Sequence, residues 1–303
     1  MVWRAPRQEG DAVSKGLGAT GIPYADYGWN VTRGCSKDGR AGCLNCWAAR
    51  QCATRLKHLP QYAGLAVVDH AEDVYVDDRY VGTTDTTYDW TGEVRFDPDE
   101  MERPLHTTKP GFVFTVPRGD LFHKRVTDDQ LDQAFSVMAA TPHLTYIVVT
   151  KRPERMRGYM RGCERGADDV GAHFPWPNVW LVPTVWDQES LERVWRLLSE
   201  TPAAVRGISY EPALGPLDLW RVRHWCEHCQ TTHSSLSCFQ QTPPRCKPWL
   251  DWVICGPETG PGKRPFDPQW AADVRAQCDA AGVAYYDKRE THAHWREWPG
   301  VTS

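Results

Sequence analysis

The 303-residue chain has no apolar run close to the roughly 18 residues that a membrane-spanning helix needs. Its first residues, MVWRAPRQEGDAVSKG, lack the charged-then-apolar order of a secretion signal. Basic residues are not in excess either: 35 basic and 39 acidic residues give a formal net charge of -4. We therefore expect a cytoplasmic protein without membrane contact, in which any contact with nucleic acid is local.

Hydrophobic residues and cysteines, by contrast, are plentiful. Hydrophobic residues make up 41% of the chain, enough to bury the core of one large domain or of a domain with an insert. There are eleven cysteines, and they are clustered. Disulfides are rare in a reducing cytoplasm, so clustered cysteines favour metal ligation.

Short β-branched or aromatic runs alternate with turns and helical patterns, which predicts a parallel sheet built of βα units. The runs are nearly continuous in apolar residues, as expected for strands covered on both faces. We predict one helix capped at its start by Thr127 and another ending at Gly282. The predicted strands are 111–116, 144–150, 178–185, 204–210, 250–256 and 283–288. The helix positions predicted to be buried are Leu131, Phe135, Met138, Leu191, Val194, Trp195 and Leu198.

Polar residues follow five of these strands at the point where each strand ends. The carboxyl ends of parallel strands meet at one edge of a sheet, and ligands bind there in α/β proteins. For any one of these residues, a helix N-cap or a turn is the alternative explanation. The residues are Asp120, Thr150 to Arg152, Thr184 with Asp187, Glu211, and Glu258 with Thr259.

The segment GCSKDGRAGCLNCWAARQCATRLKH places Cys35, Cys43 and Cys46 just ahead of a predicted helix. Three thiolates from one glycine-flanked loop suit three corners of a [4Fe-4S] cluster, and the fourth iron is left open to chelate a small molecule. A structural zinc, which needs a fourth ligand, and unliganded thiols are the alternatives. Cys52 lies off the helix face of Cys46 and is predicted to be a core thiol.

A second cysteine-rich segment interrupts the α/β pattern at 220–249. It has too few aliphatic residues to fold by burial alone, so a metal would have to organise it. Zinc is our first interpretation, with an auxiliary iron-sulfur cluster or a loop without metal as alternatives. The predicted ligands are Cys226, Cys229, Cys238 and Cys246, with His224, His228 and His233 as substitutes. The isolated cysteines predicted to lie in the core are Cys163, Cys255 and Cys278.

Several motifs resemble the radical S-adenosylmethionine (SAM) superfamily, and within it a family of phage and prophage proteins with a three-cysteine motif and no assigned function. The resemblance spans about residues 20–290. The common superfamily cysteine spacing, x3 then x2, is absent, and GPET stands where the family tends to have Gly-Gly-Glu-Ser. The matching stretches are WNVTRGCSKDGRAGCLNC, GEVRFDPDEMERPL, GDLFH, TKRPERM, PNVWL, TPAAVRGISYEPALGPLDL and WVICGPETGPGKRPFDPQW.

The resemblance implies an α/β fold, a partial (β/α)6 radical-SAM barrel with a Cys-rich insert. Residues 1–219 and 250–303 would form the barrel domain, and 220–249 the metal-binding insert. The implied cofactors are a [4Fe-4S] cluster on the three cysteines, S-adenosylmethionine and, in the insert, zinc. An external one-electron reductant is an implied partner.

The resemblance also implies roles for the residues at the strand ends. Gly119 and Asp120 would hold the methionyl ammonium of SAM. Hydroxyls of Thr150 and Thr184 would contact the ribose, and Lys151 would meet the methionyl carboxylate. Glu211 and Glu258 are further candidates at the same edge.

The implied reaction is cleavage of SAM to a 5'-deoxyadenosyl radical, which takes a hydrogen atom from a substrate. A basic run follows one strand end and would meet phosphates, although a solvated helix face is the usual meaning of such a run. Together with the phage relatives it favours an isomerase or other enzyme that modifies a nucleobase in DNA, such as an already modified thymine flipped into the barrel. Two alternatives stay open: a zinc-stabilised nucleic-acid-binding module without catalysis, and radical chemistry on a peptide or small metabolite. The basic residues are Lys151, Arg152, Arg155, Arg157, Arg161 and Arg165.

Overall fold

A computed structural model gives the fold as a mixed α/β protein around one eight-stranded sheet. The described residues are 16–37, 39–76, 79–170, 173–226, 231–234, 250–289 and 296–300, and for 70–85, 168–170, 223–226 and 231–234 the backbone alone is described. The strands are β1 Gly18–Ala19, β2 Tyr27–Trp29, β3 Thr32–Arg33, β4 Ala66–Val76, β5 Arg79–Trp90, β6 Arg95–Phe96, β7 Gly111–Thr115, β8 Leu144–Thr150, β9 Val179–Val185, β10 Val205–Tyr210, β11 Arg223–Cys226, β12 Thr231–Ser234, β13 Trp252–Cys255 and β14 Ala284–Asp287. The helices are α1 Trp47–Ala53, α2 Pro98–Met101, α3 Asp128–Ala140, α4 Pro153–Val170, α5 Gln188–Ser199 and α6 Pro268–Ala281.

The main sheet has the strand order β1-β2-β7-β8-β9-β10-β13-β14. All neighbours from β2 to β14 are parallel, and β1 alone pairs antiparallel at the edge. The six predicted strands are confirmed, with ends that differ by at most two residues. Their carboxyl ends form one edge of the sheet, which we call the carboxyl edge.

Local sequence signals place the helix ends. Thr127 caps α3 through a capping box with Gln130, and Gly282 ends α6 in the left-handed conformation at φ 68°, as predicted. The helix positions predicted to be buried are all buried. They pack in a large cluster against one face of the sheet, where Val113 and Leu181 contribute from the strands. Helices therefore cover the outer face of the sheet.

The inner face of the sheet carries an aromatic cluster that reveals strong curvature. The ring of Tyr24 lies 5.8 Å from Phe114 on β7 and 5.6 Å from Tyr286 on β14. Those strands are five positions apart in the sheet, which is about 24 Å in a flat sheet. The sheet must bend around Tyr24 for both rings to touch it. The buried members of the cluster are Tyr24, Phe114, Ile147, Trp180, Val182, Trp252, Ile254 and Tyr286.

One large element was not predicted: the antiparallel hairpin of β4 and β5, over residues 66–90. Its sequence is rich in valine, threonine and tyrosine, residues that favour strands, but it lacks a regular alternation of apolar and polar positions. The segment after β10 also departs from the predicted alternation of strands and helices. Within the described residues it is followed by a single 3-10 turn at Leu219–Arg221 instead of an α-helix.

The cysteine-rich insert begins with a second hairpin, β11 and β12, in which Cys226 is the last residue of β11. The other predicted zinc ligands, Cys229, Cys238 and Cys246, lie outside the described residues. The zinc interpretation therefore stays a prediction.

Four of the six basic residues of the run fall on α4, and neighbouring acids already pair with two of them. Arg155 donates to the carbonyl of Val126 at 2.6 Å and to Asp128 at 2.8 Å. Arg157 forms an ion pair with Glu200. These contacts favour the solvated-face interpretation of the run. None of the described helices, α4 included, combines the length and the apolar character needed to cross a membrane.

Candidate active site

A cavity of about 920 Å³ opens at the carboxyl edge, within the usual range of roughly 300–1,000 Å³ for small-molecule sites. Residues predicted from widely separated parts of the sequence meet there, because parallel strands bring their carboxyl ends to one edge. Every residue predicted to hold the cluster or SAM lines this cavity. They are Cys35, Cys43, Cys46, Gly119, Asp120, Thr150, Lys151, Thr184, Glu211 and Glu258.

The cysteine loop, residues 34–46, starts at a glycine where any side chain would clash with the backbone. Gly34 has φ +88°, and a Cβ there would lie 2.1 Å from the carbonyl oxygen of Glu93. Gly34 also pairs with Gly119, where a Cβ would lie 2.9 Å from the Gly34 carbonyl oxygen. The start of the loop therefore lies against two segments, the one that follows β5 at Glu93 and the one that follows β7 at Gly119.

The three cysteines are half-buried and none is in a disulfide. Cys43 ends a short 3-10 turn, and Cys46 immediately precedes α1. Burial raises the pKa of the Cys35 thiol to about 12, although the nearby Arg152 guanidinium opposes the shift. Within the described residues, no three cysteine, histidine or acidic side chains converge as ligands of a single metal ion.

Asp120 is the centre of a hydrogen-bond network at the end of β7. Its carboxylate accepts from the hydroxyl of Thr150 at 2.7 Å and from the backbone N-H of Lys151 at 2.9 Å. It also accepts from the Phe122 N-H at 3.0 Å and from Arg152 at 3.2 Å. Only 5% of Asp120 is exposed. With both oxygens engaged by the protein, the carboxylate holds the segment that follows β7 against the end of β8.

We expect Asp120→Asn to destabilise the fold by about 3 kcal/mol, because the change leaves the buried Arg152 without its counter-charge. The new amide also presents a donor where the wild-type carboxylate accepts four hydrogen bonds. Urea unfolding measures the effect. Asp129→Asn, an exposed change in the first turn of α3, is the control and is expected to cost about 0.5 kcal/mol or less.

The rest of the GDLFH motif joins the network to the cysteine loop. Leu121 and Phe122 are fully buried in the core. The Nε2 atom of buried His123 lies 2.9 Å from Ser36 Oγ, and the N-H of Arg125 donates to its Nδ1 at 3.2 Å. A neutral His123 therefore carries its proton on Nε2 and donates it to Ser36. The motif was noted in the sequence, but its histidine was not predicted to have a role.

The two predicted glutamates also have partners within the protein. Glu258 accepts from Asn45 at 2.9 Å and pairs with Arg264, so it fastens the part of the loop between Cys43 and Cys46. Burial opposes the ionised form of Glu258, but the hydrogen bonds from Arg264 and Asn45 outweigh it and lower the pKa. Glu211 forms an ion pair with Lys288, just beyond β14.

Two predicted residues leave polar groups available to a ligand. Thr184 is 1% exposed, and its hydroxyl has no hydrogen-bond partner. A buried polar atom without a partner is costly unless a ligand or water satisfies it. Lys151 has no carboxylate within 4 Å among the residues that the structure describes. Both line the cavity at the ends of neighbouring strands.

The cavity wall is rich in positive charge, which the overall composition did not indicate. Eight basic residues line it, against four acidic ones. Arg118 is half-buried and bonds the neutral amide of Gln51 at 3.3 Å, and its Nε is buried without a partner. Its guanidinium lies 5.9 Å from the ring centre of Tyr62. The basic lining residues are Arg33, Lys37, Arg55, Arg103, Arg118, Lys151, Arg152 and Lys288, and the acidic ones are Glu100, Asp120, Glu211 and Glu258.

Comparison with known proteins adds one result. No curated protein and no solved structure matches the chain. One family model, however, matches residues 19–299. This match covers nearly all of the chain, including the cysteine loop and the whole carboxyl edge. The chain belongs to the family described as Protein of unknown function (DUF5131).

Proposed function

We propose that this protein is a radical SAM enzyme that holds a [4Fe-4S] cluster on Cys35, Cys43 and Cys46. One observation carries the proposal: these three cysteines share a single cavity with all seven residues predicted to bind SAM. Three thiolates leave one iron of such a cluster without a protein ligand. SAM would occupy that position and extend along the carboxyl edge.

The donor set fits an iron-sulfur cluster better than a single zinc ion. A structural zinc needs four ligands that converge on one ion, and no such convergence exists among the described residues. The thiolates of a cluster bind separate irons and need not share one centre. The unpartnered hydroxyl of Thr184 and the ammonium of Lys151 fit a ligand with ribose and carboxylate groups.

When bound, the cluster and SAM would supply a 5'-deoxyadenosyl radical that abstracts a hydrogen atom from the substrate. The chain's own residues have supporting roles. Asp120 holds Thr150 and Lys151 in place, and Glu258 holds the cysteine loop through Asn45. Trp186 packs against Gly42, where a Cβ would lie 2.7 Å from the indole, and helps to exclude water from the inner end of the loop.

We also propose that the α/β fold is, more specifically, a partial (β/α)6 barrel interrupted by the 220–249 insert. The curvature around Tyr24 supports it, because rings from β7 and β14 both contact that residue. So does the location of the cavity, at the carboxyl edge where barrel enzymes bind their substrates.

The proposed substrate is a nucleobase, most simply a modified thymine in DNA that enters the cavity unstacked from its neighbours. The excess of basic residues on the cavity wall supports an anionic substrate. Arg118 is the best placed to meet a phosphate, because no carboxylate lies within 4 Å of it among the described residues. We prefer this site to the arginines of α4, because Arg155 and Arg157 already pair with acids of the protein.

We expect Arg118→Gln to weaken binding of single-stranded DNA by about tenfold or more, because the change removes one charge-assisted hydrogen bond to a phosphate. The plot of log affinity against log salt concentration should become less steep by roughly 0.7. Fluorescence anisotropy with labelled DNA measures both. Arg157→Gln on α4 is the matched control and should leave both unchanged. Equal effects of the two changes would contradict the assignment to the cavity wall.

Turnover tests the proposed function itself. Reconstituted, reduced protein is incubated with SAM and phage-type DNA, and products are separated by chromatography and mass spectrometry. We expect 5'-deoxyadenosine together with an altered nucleoside. Production of 5'-deoxyadenosine with a peptide or metabolite alone would move the substrate to those classes. Colourless protein that binds DNA would instead support a zinc-stabilised binding module.

A further inference from the structure

The first cysteine of the loop has an anchor of its own. Seven residues separate Cys35 from Cys43, so the turn that holds Cys43 and Cys46 ahead of α1 does not fix it. Arg152, two residues beyond the end of β8, reaches across to it. Its Nη1 lies 3.6 Å from Cys35 Sγ, and its Nη2 donates to the Ser36 carbonyl oxygen at 3.1 Å.

The guanidinium is itself held on both sides. Its Nη1 also donates to Asp120 at 3.2 Å, and its Nη2 to Ser36 Oγ at 3.2 Å. The Arg152 backbone N-H bonds the Thr150 hydroxyl at 2.9 Å, and only 9% of the residue is exposed. Arg152 therefore presents a fixed positive charge to the Cys35 sulfur in a site largely shielded from water.

We propose that Arg152 is a positioning residue that raises the reduction potential of the cluster through Cys35. The inference rests on the proposed function. Hydrogen bonds to the ligating sulfurs help to set the potential of an iron-sulfur cluster. Reduction adds negative charge to the cluster and its thiolates, and a cationic N-H donor stabilises that charge. Loss of the donor makes the cluster harder to reduce.

The shape of the side chain is part of the argument. The planar guanidinium contacts Asp120, Cys35 and Ser36 at once, which the single ammonium of lysine cannot do. Arg152→Lys keeps the charge and loses the fixed geometry, whereas Arg152→Gln loses both. We expect the potential to fall in the order wild type, Arg152→Lys, Arg152→Gln.

The test is a redox titration followed by electron paramagnetic resonance, on anaerobically reconstituted full-length protein matched for iron and sulfide content. At the midpoint potential of the wild-type protein, the ratio of reduced to oxidised cluster in Arg152→Gln should be lower by about tenfold or more. This is the effect expected from the loss of one charge-assisted hydrogen bond. Arg157→Gln on α4 controls for the loss of an arginine and should match wild type. Where Arg152→Gln retains no cluster, Arg152→Lys decides: a midpoint below wild type supports the inference, and an equal midpoint overturns it.

A further variant separates the effect of the Arg152 charge on the potential from the effect of loosening the cysteine loop. His123→Gln loosens the other anchor of Ser36 but leaves Arg152 and Cys35 in place. We expect it to keep the wild-type midpoint. A shift as large as that of Arg152→Gln would overturn the inference, as would an unchanged midpoint in Arg152→Gln at full iron content. Absence of iron from the wild-type protein would instead overturn the proposed function.

Discussion

Replacement of Cys43 by serine is expected to abolish both iron retention and 5'-deoxyadenosine formation. Soft thiolates select iron-sulfur clusters, and a serine hydroxyl is a poor substitute because it stays protonated at neutral pH. A cluster held by two thiolates would have no fixed open iron for SAM. The same result is expected for Cys35→Ser and Cys46→Ser. Iron analysis and product chromatography on anaerobically prepared protein measure it.

Cys163→Ser is the matched control for these variants. Cys163 is half-buried on α4 and does not line the cavity. The change replaces a thiol with a hydroxyl outside the cavity, so iron content and product formation should stay at the wild-type level. Full iron content in the protein with all three loop cysteines changed to serine would contradict the assignment of the cluster.

Gly34→Ala is expected to have the second largest effect, a loss of about 3 kcal/mol or more in the free energy of unfolding. The backbone at φ +88° disfavours any side chain, and the new Cβ would lie 2.1 Å from a backbone oxygen of Glu93. Relief of that clash must move the start of the cysteine loop away from Glu93. We therefore expect the variant to lose iron as well as stability. Urea unfolding and iron analysis test the two effects separately.

Gly158→Ala provides a control with the opposite sign. Gly158 lies inside α4 with nothing within 4 Å of an added Cβ. Alanine is favoured over glycine at such a position, so the variant should gain about 0.5–1 kcal/mol and keep its iron. A stable, iron-replete Gly34→Ala protein would show that the loop does not need the close approach to Glu93.

The sheet and its carboxyl edge could be predicted because both depend on local patterns. Strands covered on both faces need continuous apolar runs, and β8 and β9 have them. Parallel order then brings the strand ends together, wherever they lie in the sequence. That rule alone placed Asp120, Thr184 and Glu258 around one cavity.

The roles of individual residues at that edge could not be predicted, because they depend on partners far away in the sequence. Glu258 receives a hydrogen bond from Asn45, which lies 213 positions earlier. Asp120 accepts from Thr150, Lys151 and Arg152, about 30 positions later, so its carboxylate supports the site instead of standing free for an ammonium. No pattern along the chain contains such pairings.

The structure corrects one further prediction and weakens another. Cys163 was predicted to lie in the core, but it is half-buried on α4, near Tyr159 and the acidic residues Asp128 and Asp132 of α3. The arginines of α4 were candidates for phosphate contact, but Arg155 and Arg157 pair with acids on neighbouring elements. Arg118, which lines the cavity, is the residue that we propose for phosphate contact instead.

The most direct test of the account is the metal content of wild-type protein purified without oxygen, together with its paramagnetic resonance spectrum after reduction and addition of SAM. We predict about four irons and four sulfides per chain, and a reduced-cluster signal that SAM alters by binding the open iron. Protein with a full complement of zinc and no iron at Cys35, Cys43 and Cys46, or a cluster signal that SAM leaves unchanged, would contradict it.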